Sequence, residues 1–394
     1  RCRHQQQSHR SVSQAGLVFG MDALWPAHYI GCMNPTTSAW VVGIRPWKQW
    51  QITPFLTPRY GRLRYLRSAE ALLKKPSLAG QTIIIWAARE PAGFAAAVAA
   101  KGAKLVRMED GFLRSVGLGS NHVGGSSLVV DEIGIYFDPR TPSALENLLQ
   151  HTSPDAALLQ RARLLRQQLV QHGLTKYNVG STTPVTINAR RGQRRVLVPG
   201  QVENDASLRH GSPELQGNLA LLQRVRAAEP EAWIVYKPHP DTEAGTRQGQ
   251  LEDATVLRHA DQIVREVTVT ALFPQLDAVH TMTSLVGFEA LLRGLPVHTW
   301  GLPFYAGWGL STDHLSIPRR SRRLSLDALV AGVLIRYPLY RHPHSGEPCE
   351  VEALVECLRQ QAPSPMQRQR SSWRRLARLT RGLLRSLTGA LHAR

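Results

Sequence analysis

Short apolar runs alternate with helical stretches along most of this chain, and that rhythm restricts it to folds built on α/β sheets. Trp40–Ile44, Ile83–Trp86, Lys104–Met108, Ser127–Val130 and Gly134–Tyr136 read as strands. Helices are expected over Phe94–Ala100, Ser143–Gln150 and Ala156–Gln171. A stretch rich in Thr, Pro, Asn and Arg, Thr182–Gly192, interrupts the pattern. It then resumes with strands at Val196–Val198, Trp233–Tyr236, Asp277–Met282 and Pro296–Trp300, and helices at Pro213–Ala228, Gly287–Arg293 and Leu324–Leu334. A chain of 394 residues is sized for two domains. The expectation is therefore two similar α/β domains facing a cleft, over residues 39–185 and 186–362, with an unmatched segment 1–38 before them and a basic tail 363–394 after them.

The formal charge of +19 calls for an anionic partner. From Met366 to Arg394 there are eight arginines and no acid. Trp373, Leu376, Leu379, Leu383, Leu387 and Leu391 recur there at helical spacing, the pattern of a basic amphipathic helix on an anionic membrane surface. The same tail also reads as a solvated helix packing one face on the protein. RNA binding fits less well, because aromatic residues are not interleaved with the arginines. No apolar run approaches the roughly 18 residues that span a bilayer, and residues 1–20 lack the apolar core of a signal peptide. The cysteines, Cys2, Cys32, Cys349 and Cys357, show no CxxC or Cys/His metal spacing and fit a reducing compartment.

Five segments carry candidate chemistry. The run Glu109-Asp110-Gly111-Phe112-Leu113-Arg114-Ser115-Val116-Gly117-Leu118-Gly119 follows a strand, the position at which open α/β sheets bind ligands; it also reads as a tight turn with a capping acid. In Thr281–Val297, hydroxyls of Thr283 and Ser284 precede a helix expected to start at Gly287. Its free N–H groups suit a phosphate, and Glu289 in the first turn suits ribose hydroxyls. In Lys237-Pro238-His239-Pro240-Asp241 two prolines hold a histidine rigid at a strand end. Val198–Ser207 brings Gln201, Asp205 and Ser207 into a polar loop; Asp205 alone reads as a helix cap. Gly301–Asp313 offers Tyr305 and Trp308 for stacking on a sugar or base, or else forms a packed, rigid loop.

Taken in order, EDGFLRSVGLG, SLVVDEIGIYFD, TKYN, VLVPGQVENDAS, YKPHPD, TSLVGFEALLRGLPV and PFYAGWGLSTD closely resemble the capsule polysaccharide β-Kdo transferase family (KpsC/KpsS type) from about Trp40 to about Gln360. The forms are most like the C-terminal module of the two-module enzyme. The resemblance implies two Rossmann-like domains in a GT-B-like glycosyltransferase. It implies retaining transfer of Kdo, an acidic sugar, from CMP-Kdo to a poly-Kdo glycolipid linker in capsule biosynthesis and export. Asp205 is then the candidate nucleophile. His239 and the Ser284–Glu289 segment would hold CMP, and Glu109, Asp110 and Arg114 would act at the sugar or acceptor, with Arg114 or Lys237 pairing with the Kdo carboxylate. The implied partners are CMP-Kdo, a lipid-linked Kdo acceptor, the anionic inner-membrane surface and capsule assembly or export proteins, but not nucleic acid. The implied location is cytoplasmic, peripheral to the inner membrane. No cofactor or metal is expected, because CMP leaves as a monophosphate. Competing readings are a GT-B enzyme using another nucleotide sugar and a non-catalytic component of a capsule assembly or export complex.

Overall fold

The computed structural model describes residues 38–114, 125–176, 185–245 and 247–361. The expected N-terminal segment, Ser115 and the glycines after it, and the basic tail lie outside the described residues. Two six-stranded sheets form the frame. The first holds β1 (Ser38–Val42), β2 (Arg62–Leu66), β3 (Thr82–Trp86), β4 (Lys104–Asp110) and β5 (Ser127–Asp131). The second holds β6 (Arg195–Pro199), β7 (Trp233–Lys237), β8 (Gln262–Ile263), β9 (Ala278–Thr281), β10 (Val297–Thr299) and β11 (Thr312–Asp313). The last strand, β12 (Pro338–Tyr340), leaves the second half and pairs antiparallel with β5. A single division at residue 186 is thus corrected: the chain crosses back, and its final helix, Val351–Gln361, inserts Val351, Leu354, Val355 and Leu358 into a core shared by both halves.

In the second sheet every pairing is parallel, and the order β8-β7-β6-β9-β10-β11 is the 3-2-1-4-5-6 order of doubly wound nucleotide-binding sheets. The chain reverses direction across the sheet between β6 and β9. The loops leaving those two strands therefore diverge and open a crevice at their carboxyl ends. The first sheet, β12-β5-β4-β3-β1-β2, is parallel from β2 through β4, then antiparallel at β5 and β12. It is Rossmann-like only over its parallel part.

Strand sequences explain why both sheets are covered on both faces. In β3, Ile84 and Trp86 pack in one cluster, and Ile83 and Ile85 in another on the opposite face. In β6, Val196 and Val198 face one way and Leu197 the other. One apolar cluster runs between the two sheets, and Phe112 packs edge-on to Tyr136 and tilted against Phe304, with ring centres 4.7 Å from each. This aromatic seam is the floor of the cleft.

Several elements differ from expectation. Gly134–Tyr136 is not a strand; Asp131 accepts the N–H groups of Ile133 and Gly134 and makes the segment a turn. The expected helix at Leu324–Leu334 is Leu326–Val330, continued as a π-helical turn over Ala331–Arg336. Among the described residues no helix is long and apolar enough to cross a membrane.

Candidate active site in the cleft

A cavity of about 760 Å³ lies between the sheets, lined by the loops at the carboxyl ends of their strands. From the first sheet come Lys48, Trp86, Glu109, Asp110 and Arg114. From the second come Gln201, Asp205, Ser207, Lys237, His239, Thr283, Ser284 and Glu289. Most of the residues singled out in the sequence thus meet in one cavity.

Glu109 and Asp110 end β4, where the strand has run past β3 but still pairs with β5, and both line the cavity. The Glu109 carboxylate accepts the N–H groups of Ala88 (3.3 Å) and Asp110 (3.1 Å). Burial, reinforced by the adjacent Asp110 charge, pushes its pKa up to about 7; Lys48 and Lys176 oppose the shift. Glu109 is therefore poised to exchange a proton near neutrality. Asp110 is held by two cations, Arg114 Nε at 3.1 Å and Lys48 Nζ at 3.7 Å. Lys48 also sits 3.2 Å from the centre of the Trp86 ring, and burial lowers its pKa. Two neighbouring carboxyls thus have different environments, one poised to carry a proton and one paired with fixed charge.

On the opposite wall, Asp205 caps the helix Ala206–Gly211, its Oδ1 accepting from the Ser207 N–H (3.0 Å) and hydroxyl (2.8 Å). The capping reading is correct, and the residue still lines the cavity, with its Oδ2 3.6 Å from Arg247. Gly200, just before this loop, allows the β6 and β7 loops to close together: a Cβ there would lie 2.7 Å from the Tyr236 hydroxyl. His239 caps the short helix Pro240–Glu243, its Nδ1 accepting from the Asp241 N–H at 3.1 Å. Burial lowers the pKa of its ring. A neutral ring whose Nδ1 accepts must carry its proton on Nε2, so His239 presents an N–H donor. Lys237, also lowered by burial, lies two residues away.

Several expectations need correction. Tyr305 and Trp308 are fully buried and do not line the cavity. The Tyr305 hydroxyl donates to the Ser284 carbonyl (2.6 Å), and Trp308 Nε1 donates to the Phe304 carbonyl (2.9 Å). They are struts, and the aromatic loop is core because its rings fill the space under the helix Leu285–Leu291. Gly287 touches no ligand space either: a Cβ there would lie 2.2 Å from the Tyr305 hydroxyl. The helix starts at Leu285, not Gly287, so Glu289 falls beyond its first turn. Most N–H groups expected to be free at its start are already used. Thr283 donates to Gln201 Oε1 (3.1 Å), Ser284 to Thr281 Oγ1 (3.2 Å), and Val286 to the Ser284 hydroxyl (3.2 Å). Gln201 is likewise a clamp, its Nε2 donating to Thr283 Oγ1 at 2.9 Å. Glu289 accepts the Lys176 N–H at 3.2 Å, and burial pushes its pKa up to about 7.

Lys48, Trp86, Lys176 and Arg247 line the cavity without having been picked out as site residues in the sequence. Lys176 lay within the TKYN segment. Its backbone bridges the two halves, donating to Glu289 and accepting from the Arg114 N–H at 3.2 Å.

Comparison with known proteins agrees with this geometry. A family model described as "Capsule polysaccharide biosynthesis protein" matches residues 81–178 and 156–340. The capsule polysaccharide modification protein LipA of Neisseria meningitidis serogroup B is 44% identical over 320 residues, 80% of this chain and 45% of LipA. The lipopolysaccharide-processing protein LpsZ of Rhizobium meliloti is 37% identical over 322 residues, covering 80% of this chain and 73% of LpsZ. The chain thus spans less than half the length of LipA. Among solved structures, the β-Kdo 2,7 transferase of Thermosulfurimonas dismutans KpsC is similar at TM-score 0.65 and 34% identity, covering 81% of this chain and 97% of that one. Its β-Kdo 2,4 transferase is similar at TM-score 0.70 and 28% identity, with the same coverage.

Proposed function

The chain belongs to the capsule polysaccharide biosynthesis family, and from that premise we propose that it is a retaining β-Kdo transferase of GT-B type. In this reading it moves Kdo from CMP-Kdo to a lipid-linked Kdo acceptor at the inner-membrane surface. The observation that carries the reading is one cavity with Asp205 on one wall and, on the other, a glutamate whose pKa is pushed up to about 7.

Retention requires two inversions at the anomeric carbon. In the first, an Asp205 oxygen bonds to that carbon as the bond to the CMP phosphate oxygen breaks, and CMP leaves with the electron pair. The His239 Nε2–H donates to the phosphate, and Lys237 supplies positive charge beside it. In the second, the acceptor hydroxyl oxygen attacks the same carbon, its proton passes to the Glu109 carboxylate, and the Asp205 ester bond breaks. Of the several cations lining the cavity, Arg114 or Lys237 pairs with the Kdo carboxylate in this reading. Asp110, clamped by Lys48 and Arg114, holds negative charge beside Glu109 and keeps its pKa near the working range.

The test is transfer itself. Purified chain is incubated with CMP-Kdo and a Kdo-primed lipid acceptor, and products are followed by mass spectrometry. The reading expects addition of Kdo by the wild type and loss of addition in Asp205→Ala. Absence of transfer by a folded wild-type chain overturns it and leaves the non-catalytic assembly role.

A further inference from the structure

Among the described residues two clusters of metal-ligating side chains lie outside the cleft, and their geometries separate them. Glu229, at the end of the helix Asn218–Ala228, approaches His280 and His298 on the second sheet. The two imidazoles are stacked, however, with ring centres 4.1 Å apart and planes 12° from parallel, so their in-plane lone pairs do not converge. His280 Nδ1 also accepts from the Trp300 indole N–H (3.3 Å), which leaves the ring proton on Nε2, the atom facing Glu229. That arrangement is a packed column of neutral rings and not a metal site.

The second cluster has the opposite character. Residues 341–349 form a tight hairpin, closed by an Arg341–Pro348 bridge and by hydrogen bonds from His342 N to Glu347 O (2.8 Å) and from Gly346 N to His342 O (2.9 Å). The hairpin sets His342 and His344 against Cys357 on the final helix, Val351–Gln361. We propose that His342, His344 and Cys357 bind one zinc-class divalent ion that clips this hairpin to the final helix. The ligand atoms all lie within 4.8 Å of one another. A tetrahedral ion with ordinary zinc bond lengths puts a sulfur and an imidazole nitrogen about 3.6 Å apart, and two ring centres about 5 Å apart. Here Cys357 Sγ is 3.1 Å from His342 Nε2, and the rings are 5.6 Å apart and tilted by 53°, so their lone pairs can converge. One thiolate with two imidazoles selects zinc-like ions over magnesium or calcium. Cys357 is buried and His344 exposed, so the sulfur is shielded while an entry path and the fourth, water-filled position remain on the solvent side.

The protons balance. His342 Nδ1 accepts long hydrogen bonds from the backbone N–H groups of His344 (3.4 Å) and Ser345 (3.3 Å), so the ring proton faces the sulfur from Nε2. When the ion binds, the thiol proton goes to solvent and the ring proton moves from Nε2 to Nδ1. The two backbone donors belong to exposed residues and turn to water. Burial raises the Cys357 pKa, and the charge of the ion offsets that shift. The sequence conceals the site because its ligands are spaced H-x-H and then twelve residues to a cysteine, unlike a paired-cysteine motif.

The proposal stands independently of the transferase reading, and so does its test. Chain carrying no histidine tag is stripped with chelator, equilibrated by dialysis against micromolar zinc, and its metal content measured. A parallel sample is loaded with cobalt and its absorption spectrum recorded. The expected result is one zinc per chain, a thiolate-to-cobalt charge-transfer band, and a melting temperature raised by several degrees on loading. Zinc content should fall at least tenfold in His344→Ala, whose exposed position leaves folding intact, and the cobalt band should vanish in Cys357→Ser. Substoichiometric zinc in the wild type overturns the site. So does unchanged zinc in His344→Ala, or bound cobalt without the thiolate band.

Discussion

Placing an alanine at Gly287 should damage the second-sheet wall of the cleft without entering the cavity, and removing one oxygen elsewhere should repair part of the damage. The new Cβ would lie 2.2 Å from the Tyr305 hydroxyl, 2.8 Å from its Cζ and 3.1 Å from Thr281 Cγ2. Tyr305 is fully buried, and its hydroxyl is tied to the Ser284 carbonyl. Overpacking of this kind costs about 1–3 kcal/mol. Pushing the hydroxyl off the Ser284 carbonyl adds about 1–3 kcal/mol for a buried group left unpaired. The gain from replacing glycine by alanine within a helix returns about 1 kcal/mol. The net expectation for Gly287→Ala is a loss of about 1–5 kcal/mol. Tyr305→Phe alone should cost about 1–2 kcal/mol, from the unpaired carbonyl. In the double variant the 2.2 Å clash is gone, and a ring no longer tethered to Ser284 can shift by the few tenths of an ångström that the Cζ contact still demands. The two losses should therefore overlap by about 1 kcal/mol or more. Urea unfolding of the four proteins, compared at matched m values, reads the coupling directly. Losses that add within about 0.5 kcal/mol would refute the claim that Tyr305 is the strut over which Gly287 is fitted.

Three further outcomes follow from the charges in the cavity. If Glu109 takes the acceptor proton as a carboxylate, kcat/KM for Kdo transfer should rise with pH through about 7; Asp110→Asn should move that limb down and Lys48→Met should move it up, and a pH profile unmoved by either change would contradict the assignment. His239→Ala should lower transfer about 100-fold or more, mainly through the donor, because it removes the Nε2–H and a helix cap together; a fall of less than about threefold, measured as initial rates over a range of CMP-Kdo concentrations, would count against a role at the phosphate. Glu289 has an ordinary value near 4.5 and a folded value of about 7, so across that window the folded chain holds a proton that the unfolded chain releases, and wild-type stability falls as pH rises through it; Glu289→Gln should therefore gain on the wild type between pH 5 and pH 8 in denaturation experiments, and a pH-independent difference would refute the buried-acid account.

What could be read from the sequence divides along physical lines. Buried parallel strands such as Ile83–Trp86 and Val196–Val198 were legible because both faces of each are apolar. Edge strand β2, Arg62-Leu63-Arg64-Tyr65-Leu66, was not, because its outward residues are arginines. The helix Pro46–Tyr60, which carries Lys48 to the cavity, was hidden by Pro54 and Pro58 within it. β12 is three residues long and finds its partner more than 200 residues back in the chain, a pairing with no local signature. That Glu109, Asp205 and His239 meet at one cavity was legible, since polar residues at the ends of apolar strands collect at one edge of an α/β sheet. The aromatic loop was ambiguous for a plain reason: Tyr and Trp beside glycines can stack on a ligand or fill a core, and composition does not distinguish the two. The roles of Lys48 and Lys176 depend on which carboxyls they approach, Asp110 and Glu109 for Lys48 and Glu109 and Glu289 for Lys176, contacts made across long stretches of sequence and not with sequence neighbours.

The central claim is that Asp205 forms a bond to the transferred sugar. Wild-type chain incubated with CMP-Kdo in the absence of acceptor, quenched and weighed intact, should gain the mass of one Kdo residue. The modified peptide after digestion should contain Asp205, the adduct should discharge when acceptor is added, and Asp205→Ala should gain nothing. Efficient transfer to acceptor with no adduct at any time, or an adduct that survives in Asp205→Ala, would contradict it.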